Sequence, residues 1–138
     1  MARCGIWTNR SVKFAGSIPA VLVVDDNSAS GAALTAALGQ EAIDARFVAS
    51  GIEAMEWTRH WVPDLIVLDI NMPRHDGFST ARVLRRLAPT RSAVIVAFTA
   101  LGENEVQERG VLVGFDGYCQ KGGTPDDLIR MIHAMTHT

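Results

Sequence analysis

A chain of 138 residues suits one compact domain, and 48% hydrophobic with 20% charged residues is the balance of a globular protein that buries a core. The formal net charge of −2 gives no reason to expect nucleic-acid binding, which usually needs a basic face. No apolar run approaches the roughly 18 residues that cross a bilayer, and no continuous apolar segment follows Arg3 and Arg10 before Pro19. Neither a membrane span nor a secretory signal is therefore expected, and a cytoplasmic location follows.

Residues 1–19 show neither helical nor strand periodicity and contain Gly5, Gly16 and Pro19. They read as an extension or linker, partly disordered, ahead of a domain over 20–138. Cys4 and Cys119 form neither a CxxC pair nor a dense framework, so the expectation is two reduced thiols.

From residue 20 the pattern changes. The runs at 21–24, 65–68 and 94–98 are short, rich in β-branched residues and apolar on both faces, as strands covered on both sides of a parallel sheet are. Weaker strands near 45–49 and 117–120 complete a set of five. The first intervening helix, 28–38, is alanine-rich with Leu34 and Leu38 one turn apart. The second, 51–61, opens with the capping box Ser50-Gly51-Ile52-Glu53 and carries Trp57 and Trp61 one turn apart as packing residues. The third spans 78–87. The fourth, 103–113, is interrupted by Gly110, at a cost of about 1 kcal/mol relative to alanine. The last is predicted to be capped by Thr124, with Pro125 in its first position and Asp126 and Asp127 complementing its dipole. Leu128, Ile129, Ile132 and Met135 form its apolar stripe. Five strands alternating with five helices imply right-handed crossovers and a three-layer α/β domain.

Ligands of such folds bind beyond the carboxyl ends of the strands. Asp25 and Asp26 follow the first strand; Asp69, then Ile70-Asn71-Met72-Pro73, follow the third. Thr99 and Ala100 close the fourth, and Lys121, one of only two lysines, follows the fifth. Each has an ordinary reading alone: the acidic pair as a turn and cap, Pro73 and Gly77 as turn residues, Thr99 as structural, Lys121 as a solvated charge. Together they put three carboxylates, a hydroxyl and an ammonium on one rim. Clustered carboxylates raise one another's pKa and call for a cation. An all-oxygen donor set favours a hard ion such as magnesium. The chemistry that fits is phosphoryl transfer to an aspartate, with Lys121 and Thr99 contacting the phosphoryl oxygens.

Four strings carry a resemblance to the receiver domain of bacterial response regulators, over residues 20–135. They are Val21-Leu22-Val23-Val24-Asp25-Asp26-Asn27; the run from Asp64 through Asp69-Ile70-Asn71-Met72-Pro73 to Gly77; Phe98-Thr99-Ala100; and the run from Gly114 through Tyr118 to Lys121. The resemblance implies a doubly wound, flavodoxin-like (βα)5 fold with sheet order 2-1-3-4-5. It implies Asp69 as phosphoacceptor, Asp26 as a direct magnesium ligand with Asp25 as its partner, and a backbone carbonyl of Asn71 on the metal, with manganese able to substitute. Thr99 and Ala100 would meet the phosphoryl group with Lys121, and Tyr118 would move as Thr99 shifts. The remodelled surface would be the fourth helix, fifth strand and fifth helix, a face through which a homodimer is also allowed. Partners implied are a sensor histidine kinase or a histidine phosphotransfer protein, with no nucleic acid and no membrane, and no DNA-binding or enzymatic output domain is expected within this chain. The protein would be a switch, with only self-catalysed phosphotransfer and self-hydrolysis as chemistry.

Gly122-Gly123 stand where the family usually carries a proline after the lysine, which keeps open a pseudo-receiver that binds partners without phosphorylation. An aspartate-based phosphohydrolase would need a second carboxylate at position 71, where the residue is asparagine. His75 is read as a loop residue, since histidine suits softer ions.

Overall fold

The computed structural model describes residues 3–72 and 76–138. The three apolar runs become β3 (Ala20–Val24), β5 (Leu65–Leu68) and β6 (Val94–Thr99), joined by β4 (Asp44–Val48) and β7 (Gly117–Gln120). These five strands are parallel and lie in the order β4-β3-β5-β6-β7. Numbered by their place among the five units, that is 2-1-3-4-5, the doubly wound flavodoxin-like arrangement. Two helices, α1 (Ser28–Gly39) and α5 (Asp126–Met135), pack with Val21, Val23, Leu65, Val67, Val94 and Val96 on one face of the sheet. The other face buries Leu22, Val24, Ile66, Leu68, Ile95 and Ala97 under α2 (Gly51–Trp57), α3 (Gly77–Leu84) and α4 (Glu103–Val113). The two-residue period of a strand sends alternate residues to opposite helix layers, which is why these runs are apolar throughout. Each fully buried valine, leucine or isoleucine contributes about 1.5–3 kcal/mol.

The helices begin where their caps dictate. Asn27 accepts the Ser30 N–H at 2.9 Å, Asp76 accepts the Ser79 N–H at 2.8 Å, and Ser50 accepts the Glu53 N–H at 3.1 Å as its capping box predicts. Three boundaries differ from the sequence expectation. The second helix stops at Trp57 instead of running to 61, because Thr58 turns its hydroxyl onto the Met55 carbonyl. The third stops at Leu84, whose carbonyl is taken by the buried Thr90 hydroxyl at 2.5 Å. The last has Pro125 in the cap position with no side-chain cap bond, so Thr124 does not cap it. Its buried stripe is Leu128, Met131, Ile132 and Met135, with Ile129 only partly covered.

Within the aperiodic stretch before Ala20, two short strands form against the domain. β1 (Cys4–Ile6) adds to the open edge of β7, antiparallel to it. β2 (Val12–Lys13) pairs with β8 (Thr136–His137). Cys4 lies opposite Cys119 and the two are joined by a disulfide, which corrects the expectation of reduced thiols. The reason is register. The Gln120 N–H bonds the Arg3 carbonyl, so the next pair, Cys4 and Cys119, is of the non-hydrogen-bonded kind in which side chains approach most closely. No helix among the described residues is long and apolar enough to cross a membrane.

Candidate functional site

Sheet register assembles the site. Val24 pairs with Leu68, so Asp25 and Asp69 are the next residues on adjacent strands, and the Asp69 N–H bonds the Val24 carbonyl at 2.9 Å. Residues on one rung point to one face, and both carboxylates turn into the same buried corner. Asp26 stands beside them, exposed. One oxygen from each of Asp25, Asp26 and Asp69 can be chosen so that all lie within 4.8 Å of one another. Asp25 and Asp69 also cap their own loops, accepting the N–H groups of Asn27 at 2.9 Å and Asn71 at 3.1 Å.

Lys121 enters from the end of β7. Its backbone N–H bonds the Thr99 carbonyl at 2.8 Å, and its ammonium reaches Asp25 at 2.9 Å and Asp69 at 3.3 Å. Burial opposes charge on this ammonium, but the bonds and charges of Asp25 and Asp69 outweigh burial and hold its pKa above the ordinary lysine value. Burial pushes the Asp69 carboxyl up to about 6, with Lys121 pulling it down and Asp25 adding to the rise. Three carboxylates against one ammonium leave the corner short of positive charge. Their oxygens fit a hard divalent ion, and the donors offer no nitrogen or sulfur that would prefer a softer one.

The other expected residues sit beside this corner. Thr99 is fully buried at the end of β6, and its hydroxyl accepts the Leu101 N–H at 3.2 Å. Tyr118 is buried on β7 and donates its hydroxyl to the Leu101 carbonyl at 2.5 Å. Ala100 is exposed, and its carbonyl accepts the Gln120 side-chain amide at 3.2 Å. Asn71 is exposed, with its N–H on Asp69. Pro73 and His75 lie outside the described residues. Trp57 and Trp61 pack edge to face at 6.0 Å, with the Arg46 guanidinium over both rings.

Residues 21–133 match the response regulator receiver domain. The chain belongs to that family. Among its relatives are the DNA-binding dual master transcriptional regulator RpaA of Synechocystis, 28% identical over 86% of this chain and 49% of the relative. The phosphate regulon transcriptional regulatory protein PhoB of Rhizobium meliloti is 30% identical over 86% of this chain and 52% of its own length. The chain thus spans about half the length of the curated relatives it matches. The fold is that of chemotaxis protein CheY4 of Vibrio cholerae, with a TM-score of 0.82 at 24% identity, covering 86% of this chain and 99% of that one.

The receiver site has neighbours that sequence reasoning missed. The Arg3 guanidinium donates to the Lys121 carbonyl at 2.6 Å and also to the Gly122 carbonyl. Trp7 stacks on Tyr118 with ring centroids 5.8 Å apart and gives its indole N–H to Glu103 at 2.8 Å. These contacts span about a hundred residues or more, and an aperiodic stretch carries no pattern that would reveal them. The signal available was the pair Cys4 and Cys119 itself.

Proposed function

We propose that residues 20–138 form a phosphoacceptor receiver that takes a phosphoryl group on Asp69 from a histidine kinase or a histidine phosphotransfer protein. The observation that carries this reading is the meeting of Asp25, Asp26, Asp69 and Lys121 in one corner. In the transfer, an Asp69 oxygen attacks phosphorus, the bond from phosphorus to the donor's imidazole nitrogen breaks, and the imidazole leaves with the electron pair. A magnesium ion held by Asp25, Asp26, Asp69 and the Asn71 carbonyl would supply charge neutralisation for the phosphoryl oxygens, and manganese would substitute. Lys121, already beside Asp69, keeps its charge throughout and takes one phosphoryl oxygen. The Thr99 hydroxyl gives up the Leu101 N–H to bond another, and Ala100 lies at the same rim.

The chain acts as a switch in this reading, with self-catalysed phosphotransfer and self-hydrolysis as its chemistry. Its output surface is α4 and α5 with the β7 edge between them, which β1 covers, and Tyr118 lies buried there against Trp7, in a cytoplasmic pathway. A pseudo-receiver would keep the fold without accepting phosphate. The glycines after Lys121 favour that alternative, but the double contact of Lys121 with Asp25 and Asp69 speaks for phosphotransfer. Intact mass after exposure to a small phosphodonor with magnesium tests the choice. One added phosphoryl group on the wild type and none on Asp69→Ala is the expected result. No addition on either overturns the phosphoacceptor reading.

A further inference from the structure

Lys121 is followed by two glycines with positive φ, 112° at Gly122 and 72° at Gly123. Such a loop has little stiffness of its own, because glycine reaches this region without steric cost and leaves it as easily. The bond that follows Lys121 on the chain is therefore steadied from outside, by Arg3. Its planar guanidinium grips two successive carbonyls, those of Lys121 and Gly122, with preorganised donors. Arg3 itself is fixed through its own carbonyl and through the residue that follows it. Its carbonyl accepts the Gln120 N–H at 2.9 Å, and its neighbour Cys4 is covalently joined to Cys119.

We propose that Arg3 is a positioning residue for Lys121 and that the Cys4–Cys119 disulfide is its redox latch, opened by a dithiol reductant. The proposal rests on the reading of Asp69 as phosphoacceptor for its effect on phosphotransfer, and on the fold alone for the latch. β1 has three residues and one neighbouring strand, so it adds few hydrogen bonds of its own, and the covalent link is what keeps it on the β7 edge. Past Ile6 the segment has independent anchors: Trp7 and Thr8 donate their N–H groups to the Asp116 carbonyl at 2.8 and 3.2 Å. Opening the latch therefore frees Arg3–Ile6 and leaves the rest in place.

The chemistry balances as thiol–disulfide exchange. Cys119 is 1% exposed and Cys4 only half-buried, so Cys4 is the cysteine an incoming thiolate attacks. Attack forms a mixed disulfide at Cys4 and expels Cys119 as a thiolate, which takes a proton. The second thiol of the reductant then displaces Cys4, also released as a thiol. The reductant leaves as a disulfide, two electrons having passed to the protein's sulfurs. Cysteine pairs that open and close in a reducing compartment are characteristically redox-sensing, and this one connects directly to the loop that aims the site's ammonium.

Two readouts on the full chain separate the steps. Exchange of the Gln120 amide reports whether β1 is seated, because the Arg3 carbonyl is its acceptor. The rate of phosphorylation by a small phosphodonor with magnesium, followed by intact mass, reports whether Lys121 is aimed. Arg3→Ala with the disulfide intact is expected to keep Gln120 protected while phosphorylation slows roughly tenfold, the scale of effect of a modest misplacement at a reacting centre. Arg3→Lys should recover part of that rate, since it restores one of the two carbonyl contacts. Reduction by a dithiol, or Cys4→Ser, should speed Gln120 exchange and slow phosphorylation to the Arg3→Ala level. Reducing Arg3→Ala should slow it no further, because both changes remove one interaction. An Arg3→Ala rate equal to wild type overturns the positioning role. Two titratable thiols in the protein purified without reductant, or Gln120 exchange unchanged on reduction, overturns the latch. Absence of phosphorylation in every form, wild type included, overturns the phosphoacceptor reading and the positioning role with it, and Gln120 exchange then decides the latch alone.

Discussion

Thr99 and Tyr118 are tied to the same residue: Leu101 donates its N–H to the Thr99 hydroxyl at 3.2 Å, and its carbonyl accepts the Tyr118 hydroxyl at 2.5 Å. A hydroxyl that swings toward a phosphoryl group must give up the first bond, and the freed Leu101 peptide loosens the second. Trp7 lies stacked on the other side of that tyrosine ring. Phosphorylation is therefore expected to change Trp7 emission in a protein carrying Trp57→Phe and Trp61→Phe. Adding Thr99→Val should abolish the change, at a stability cost of about 1–2 kcal/mol for the stranded Leu101 N–H. Steady-state fluorescence with and without phosphodonor reads it; an undiminished change in the valine variant would separate Tyr118 from Thr99.

The raised pKa of Asp69 makes a pH prediction for the metal-free protein. The unfolded carboxyl titrates near 3.8 and the folded one at about 6. Between those values the folded state holds a proton that the unfolded state has lost, so stability falls as pH rises through the window and stays low above it. Asp69→Asn removes the burdened charge while Lys121 keeps Asp25. In chelator, Asp69→Asn should be more stable than wild type by about 2 kcal/mol at pH 8, with the gap closing below pH 4. Thermal melts across pH measure this. Magnesium at pH 8 should raise the wild-type Tm and leave the asparagine variant nearly unmoved.

Gly77 is where the loop after Asp69 closes. Its N–H bonds the Ile70 carbonyl at 2.8 Å, and a Cβ there would stand 2.5 Å from the Asp69 carbonyl oxygen and 2.7 Å from the Ile70 Cα. Both are backbone atoms, so the segment carrying Asp69 would have to shift. Gly77→Ala is expected to cost about 1–3 kcal/mol and to weaken magnesium binding. Gly39→Ala, with nothing within 4 Å of the added methyl, should be neutral or stabilising by up to about 1 kcal/mol. Denaturant unfolding and a magnesium titration compare the two; equal midpoints would refute the close-approach argument.

Legibility followed periodicity. The strands β3, β5 and β6 announce themselves because both faces are buried, and Asp25, Asp69, Thr99 and Lys121 are found by looking just past each run. The helix ends at Trp57 and Leu84 were overrun because their signals are single hydroxyls, Thr58 and Thr90, returning to nearby carbonyls. The strand Cys4–Ile6 was illegible for a different reason. Three residues cannot display a period, and their stability comes from β7, more than a hundred residues away.

Asp116 went unremarked in the sequence, yet its carboxylate accepts four hydrogen bonds. One oxygen accepts Arg85 at 2.5 Å and the Ile95 N–H at 3.0 Å; the other accepts the Thr8 hydroxyl at 2.8 Å and Arg10 at 3.0 Å. Arg85 is itself largely buried and also donates to the carbonyls of Gly114, Arg91 and Ala93. Burial pulls the Arg85 pKa down and Asp116 opposes that pull. Removing one partner of a buried pair strands the other, so Asp116→Ala is expected to cost about 3–5 kcal/mol. Replacing both, as Arg85→Met with Asp116→Leu, should cost less than the alanine alone, because no charge is left unpaired, although the Ile95 N–H still loses its acceptor. Urea unfolding of the single and double variants measures the difference. A double variant less stable than Asp116→Ala would mean that the pair stabilises the fold through its own attraction and not by mutual neutralisation.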